Sequence, residues 1–218
     1  ANQVICHNSN TSAVSFSGTG SSYSWTNNQS SVGLAASGTG NIVAFNALNP
    51  SNSVIATATV SVTPQFSNNN VTCPGPVQTF TITVNPIPVV TPIANATFCN
   101  GTNTSLITIN GTGTSYAWTN STTSIGLGAS GAGNIAPFAA TNVGSTPVNA
   151  TIGIIPSFTN AGVTCAGLNS NATITVNPTP TVNNVNSQVI CNNTNTAAIT
   201  FSGTGNSYTW ANNTPSIG

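Results

Sequence analysis

The side chains best suited to chemistry in this sequence are five cysteines, Cys6, Cys73, Cys99, Cys165 and Cys191, and one histidine, His7. Lys, Arg, Asp and Glu are all absent. General acid–base catalysis therefore has no carboxylate or amine to work with, a Ser–His–Asp arrangement lacks its acid, and no glycosidase carboxylate pair can be assembled. Cys6 and His7 would have to act as a thiol–imidazole pair, but adjacent residues on a strand point to opposite faces. The corresponding positions later in the chain hold Asn100 and Asn192, so His7 reads as an exposed polar position. Structural zinc takes about four nitrogen or sulfur ligands and calcium prefers carboxylates. No metal, no cofactor and no enzymatic activity are expected of this segment.

The cysteines are spaced regularly. Cys6-His7-Asn8-Ser9-Asn10-Thr11 returns as Cys99-Asn100-Gly101-Thr102-Asn103-Thr104 and as Cys191-Asn192-Asn193-Thr194-Asn195-Thr196, and Cys73 returns as Cys165. Each full repeat thus has an early and a late cysteine. The spacing favours Cys6–Cys73 and Cys99–Cys165, with the partner of Cys191 outside the segment. A rival pairing, such as Cys73–Cys99, would lock neighbouring repeats together. Regular pairing points to an oxidising compartment outside the cell.

Behind the cysteines stands a repeat of about 92 residues. Trp25, Trp118 and Trp210 recur at that offset, each in a Tyr-x-Trp segment that follows Gly18, Gly111 or Gly203. Repeat one spans 1–92, repeat two 93–184, and 185–218 holds the N-terminal third of another copy. The boundaries follow Asn85-Pro86-Ile87-Pro88 and Asn177-Pro178-Thr179-Pro180, where spaced prolines favour a short, stiff connector. Either more chain follows, or a neighbouring molecule supplies the missing strands.

Period-2 alternation marks strands. Phe80, Ile82 and Val84 alternate with threonines, as do Ile174 and Val176, and Val54, Ala56, Ala58, Val60 and Val62 form a longer inward row. No useful helical periodicity appears. About seven short strands per repeat predict an all-β fold: tandem Ig-like β-sandwiches with Trp25, Trp118 and Trp210 as core aromatics. The alternative role of these tryptophans is as sugar-stacking platforms. The Gly-rich stretches 32–42 and 125–135 read as long inter-strand loops, since they match no phosphate-binding pattern.

Composition narrows the partners. Nucleic-acid binding needs Lys and Arg on phosphates, and anionic membrane surfaces have nothing to attract. No apolar run reaches the ~20 residues of a membrane span, and no signal peptide is visible at Ala1-Asn2-Gln3-Val4. Neither nucleic acid nor membrane insertion is expected. Zero net charge removes the usual repulsion between copies, which makes self-association or a sugar coat the natural expectation. Sequons fall at Asn10, Asn28, Asn70, Asn95, Asn100, Asn103, Asn110, Asn120, Asn149, Asn171, Asn192 and Asn212, the candidate positions for covalent glycans.

The ordered set Cys6, Tyr23-Ser24-Trp25-Thr26-Asn27, residues 32–42, Val71-Thr72-Cys73 and Thr79-Phe80-Thr81-Ile82-Thr83-Val84-Asn85-Pro86 resembles the PKD-like, Ig-like repeats of very long secreted proteins of Bacteroidetes-type bacteria. The resemblance covers the whole chain and implies export, a cell-surface location and a structural or adhesive role. The expected function is a structural repeat segment of an extracellular fibre or large surface protein, self-assembling and glycosylated. The alternatives are an adhesin or carbohydrate-binding module and, third, a spacer in a secreted enzyme.

Overall fold

The alternating segments fold as strands, and the computed structural model of the chain, which describes residues 1–217, is all-β. The first repeat contains β1 (Gln3–Cys6), β2 (Ser22–Asn27), β3 (Ser37–Thr39), β4 (Ala56–Asn68), β5 (Val71–Pro74) and β6 (Gln78–Asn85). The second contains β7 (Ala96–Cys99), β8 (Ser115–Asn120), β9 (Ser130–Ala132), β10 (Val148–Asn160), β11 (Val163–Ala166) and β12 (Ser170–Asn177). Each set makes one sheet, ordered β1-β6-β4-β2-β3 with β5 also on β4, and β7-β12-β10-β8-β9 with β11 also on β10. β1 runs parallel to β6 and β7 parallel to β12.

The facing layer of each sandwich is less regular than the seven-strand expectation. In the first repeat isolated bridges join Asn10 to Asn46 and Val14 to Ile42; in the second they join Asn103 to Ala139 and Ile107 to Ile135. Buried Thr11 and Thr104 accept the backbone N–H of Phe45 and Phe138 at 3.0 Å through their hydroxyls. These segments are rich in Ser, Thr and Asn, whose side chains compete with the ladder for backbone groups. Six regular strands per repeat is the result.

Alternation then decides the core. Ala58, Val60, Ile82 and Val84 of the first repeat and Ala150, Ile152, Ile174 and Val176 of the second face inward and are buried. The inward row is shorter than its sequence: Val54 is 65 % exposed, because β4 begins only at Ala56. Its carbonyl is used instead, accepting a 2.8 Å bond from the buried Asn49 amide, which also reaches the Val84 carbonyl at 2.8 Å. Asn142 repeats this knot with the carbonyls of Thr146 and Val176.

The Gly-rich stretches are more than loops. Each opens on a 3-10 turn, Ser30–Val32 or Thr123–Ile125, whose last residue is fully buried, and each ends in the short strand that pairs with the tryptophan strand. Gly38 and Gly131 stand directly opposite Trp25 and Trp118, and a Cβ at either glycine would collide with the indole ring. Glycine at these positions lets each ring lie flat across the neighbouring backbone. Both indole N–H groups are buried without an acceptor.

Residues 183–200 carry no strand and are exposed throughout. Trp210 is 74 % exposed, against 8 % for Trp25 and for Trp118. The core role expected for all three tryptophans therefore holds for two. Trp25 and Trp118 pack into the cores of their repeats, whereas the segment around Trp210 forms no regular strand.

Filling the space under an indole should destabilise a repeat. Gly38→Ala or Gly131→Ala is expected to cost about 1–3 kcal/mol through overpacking. Gly128→Ala, where an added Cβ meets nothing, should stay within about 0.5 kcal/mol. Urea unfolding followed by tryptophan fluorescence measures both.

Candidate inter-repeat interface

The long central strands set where each cysteine sits. Cys6 lies beside Asn85, next to the Val84 that pairs with Ala56 at the start of β4. Cys73 pairs with Phe66 near the end of β4. The two positions are eleven residues apart along one strand, about 36 Å at ~3.3 Å per residue. A disulfide needs Cα atoms within about 7 Å. Cys99 beside Asn177 and Cys165 opposite Phe158 are separated in the same way along β10. The expected pairs Cys6–Cys73 and Cys99–Cys165 are therefore excluded by geometry.

The observed bond is Cys6–Cys165, with a Cα–Cα distance of 5.5 Å and 159 residues between the partners in sequence. It joins repeats, as the rival pairing would, but through different cysteines. The reason is the overhang of the β10–β11 hairpin. Its turn, Asn160-Ala161-Gly162-Val163, has positive φ at Ala161 and Gly162, the two-residue pattern that suits strand twist. The hairpin reaches back from the leading end of repeat two onto the trailing end of repeat one. Asn85, fully buried there, accepts a 2.9 Å bond from the Asn160 amide, and its own amide points to the Val163 carbonyl at 3.5 Å. Cys165 is 2 % exposed. Closing so long a loop contributes about 5 kcal/mol in the chain-entropy description.

The connector seals the other side of the joint. Pro86 and Pro88 are buried, and Val90 belongs to the core of repeat two. Val90 bridges Gly111, the Val89 N–H bonds the Thr112 hydroxyl at 3.0 Å, and the Thr112 N–H returns to the Val89 carbonyl at 3.0 Å. Gly111 and Gly167 have no room for a Cβ, because the carbonyls of Val89 and Pro88 press on them. The proline-spaced segment is thus a packed strut wedged between repeats.

His7 sits half-buried at this trailing end, where its Nδ1 accepts the Asn49 N–H at 2.8 Å. In repeat two the Oδ1 of Asn100 accepts the Asn142 N–H at the same distance. The expectation of an idle exposed position is corrected: it is an acceptor post that either side chain can fill. With Cys6 oxidised and His7 engaged, the two form no thiol–imidazole pair.

Other candidate residues divide by burial. The two buried tryptophans present no ring face to a sugar. Asn120 is buried, and its amide donates to the Leu127 carbonyl at 2.9 Å; a glycan there is incompatible with this packing. Asn100 is half-buried, with its amide on Thr179. Asn10, Asn28, Asn70, Asn95, Asn103, Asn110, Asn149, Asn171, Asn192 and Asn212 are exposed. Sequence reasoning missed Asn85 and Asn160. The signal available was the 92-residue recurrence of each, as Asn177 and Asn68.

No protein-family model and no curated protein matches the chain. Among solved structures it is similar to the crystal structure of human CDH23 EC21-23, with a TM-score of 0.38 and 14 % identity, over 77 % of this chain and 60 % of that one. The chain therefore spans about 60 % of the length of that structure.

Two measurements check the joint. The chain has no Lys or Arg for trypsin, so mass spectrometry of a non-reduced chymotryptic digest is the direct test. It should show Cys6 linked to Cys165; a Cys6–Cys73 or Cys99–Cys165 peptide would overturn the assignment. In equilibrium unfolding His7→Asn should be tolerated within about 0.5 kcal/mol, whereas His7→Leu, which leaves the Asn49 N–H unpaired, should cost about 1–3 kcal/mol.

Proposed function

We propose that this chain is a structural segment of an extracellular array, in which successive β-sandwiches are held end to end as a fibre or a long surface stalk. The observation that carries the reading is the stapled joint, with the Cys6–Cys165 bond, the buried Asn85 and the wedged connector in one place. A disulfide of this kind belongs to an oxidising compartment, and no helix of the described residues is long and apolar enough to cross a membrane. A domain that must move relative to its neighbour is not usually locked by a covalent bond and a buried polar contact together.

A non-enzymatic role agrees with the sequestration of Cys6 and His7. A PKD-like family relationship and a bacterial surface location belong to the same proposal and rest on the residue resemblance. Glycans on the exposed sequons would keep an uncharged surface soluble, since the chain has no electrostatic repulsion of its own. The adhesin reading gains nothing from the buried tryptophans.

Electron microscopy of the native material decides the central claim. Filaments with an axial repeat matching one sandwich are expected, and monodisperse single chains would overturn it. Intact-mass measurement tests the sugar coat, with mass above the 21.7 kDa of the polypeptide expected.

A further inference from the structure

Two asparagines of the chain precede glycine, Asn100 and Asn110. In such a pair the carboxamide is open to attack by the main chain, because glycine sets no side chain beside the following nitrogen. The fold treats the two pairs differently. Both ends of the Asn100 carboxamide are engaged: its Oδ1 accepts the Asn142 N–H at 2.8 Å, and its amide donates to the Thr179 hydroxyl at 3.0 Å. The Gly101 N–H is engaged too, on the Ala140 carbonyl at 2.8 Å. Asn110 is an exposed side chain, and the restraint on it lies in the main chain around it.

That restraint is the connector. The Asn110 carbonyl accepts the Thr91 N–H at 2.8 Å, Gly111 bridges Val90, and Thr112 bonds Val89 in both directions at 3.0 Å. Bringing the Gly111 nitrogen onto Asn110 Cγ takes rotation about the Cα–C bond of Asn110, out of the extended range. The same rotation swings the Asn110 carbonyl away from Thr91. Attack and the Thr91 bond therefore exclude each other. The equivalent positions in the other copies are Ser17-Gly18 and Ser202-Gly203, which have no carboxamide to attack.

We propose that Asn110-Gly111 is a self-modification site gated by the connector: when the connector lifts, Asn110 converts to aspartate or isoaspartate, and the joint loosens one way. The Gly111 nitrogen, having lost its proton, attacks Asn110 Cγ. The N–Cγ bond forms, the Cγ–Nδ2 bond breaks, and ammonia leaves with that proton. Water then opens the resulting succinimide ring at either carbonyl, and no oxidant or reductant is needed. Isoaspartate lengthens the main chain by one methylene beside Gly111 and frees a carboxylate. The site has no slack for this, since even a Cβ on Gly111 would strike the Val89 carbonyl. The carboxylate is also an acidic side chain in a sequence that otherwise has none. Asn110 heads a sequon, but a glycan on Nδ2 would replace the leaving ammonia, so the proposal leaves Asn110 out of the sugar coat.

The test is incubation of the whole disulfide-bonded chain at neutral pH and physiological temperature, followed by peptide mass spectrometry that separates asparagine, aspartate and isoaspartate at each position. In urea the two pairs should convert at similar rates. In the folded chain Asn110 should convert about tenfold faster than Asn100, because local opening differs in free energy from site to site. Thr112→Val, which removes the acceptor of the Val89 N–H, should speed conversion at Asn110 about fivefold, the weight of roughly one hydrogen bond. Thr112→Ser should restore the slower rate, and Asn110→Gln should abolish the acidic species seen on isoelectric focusing. The isoaspartyl fraction should be cut by thermolysin at Val89–Val90 faster than its parent, with the halves still joined through Cys6–Cys165. Equal folded rates at Asn100 and Asn110, an unchanged rate in Thr112→Val, cleavage indifferent to isoaspartate, or a glycan on Asn110 in native material would each overturn the proposal.

Discussion

A thirteen-residue strand at the centre of each sandwich governs the rest of the architecture. It is long enough to pair with the tryptophan strand and the last strand over its first part and still project a hairpin from its second part. That projection carries the late cysteine away from the early one of its own repeat and onto the preceding repeat. A strand three or four residues shorter would keep the core and lose the joint, since Phe158 and Asn160 would no longer lie beyond the body of the sheet. The connection between repeats thus follows from strand length as much as from any particular side chain.

The absence of charge places a second demand on the fold, which asparagine meets. Buried backbone carbonyls and N–H groups need partners, and the carboxamide can donate and accept at once. Asn49 and Asn142 tie the turn before the long strand to the end of the last strand, and Asn27 and Asn120 hold the 3-10 segment through the carbonyls of Leu34 and Leu127. Asn85 does the same between repeats. The richness of the chain in asparagine, which composition alone presents as a polar surface, is in part an internal scaffold of neutral hydrogen bonds. Such bonds depend little on pH or salt, because neither partner carries a charge to titrate or screen.

Much of this was legible in the residues. The 92-residue recurrence of Cys, Trp and Asn-Pro-x-Pro specifies the repeat, and alternation at Phe80, Ile82 and Val84 specifies an inward strand. The disulfide pairing was not legible, because equal spacings of early and late cysteines look the same whether the bond stays within a repeat or skips to the next. Only the direction and length of β4 and β10 separate the two cases. His7 was misread for a related reason: a change from His to Asn between repeats looks like indifference, yet both side chains offer an acceptor at the same point in space. Asn120 matches a sequon in the linear chain and becomes a core residue only when β8 ends beside the 3-10 turn.

The Cys6–Cys165 bond also changes how the chain carries tension. The shortest covalent route from Ala1 to Ile217 runs through β1 to Cys6, crosses the sulfur atoms to Cys165 and continues through the last strand of repeat two, bypassing residues 7–164. A pull between Ala1 and Ile217 is therefore borne by a short tether, and most of both sandwiches hangs as a slack loop beside the line of force. The same bond spans the connector, so one break in the backbone between Pro86 and Thr91 would leave the two repeats attached. A chain wired in this way resists stretching even where its individual domains are only modestly stable, and it tolerates a cut that would sever an ordinary string of beads.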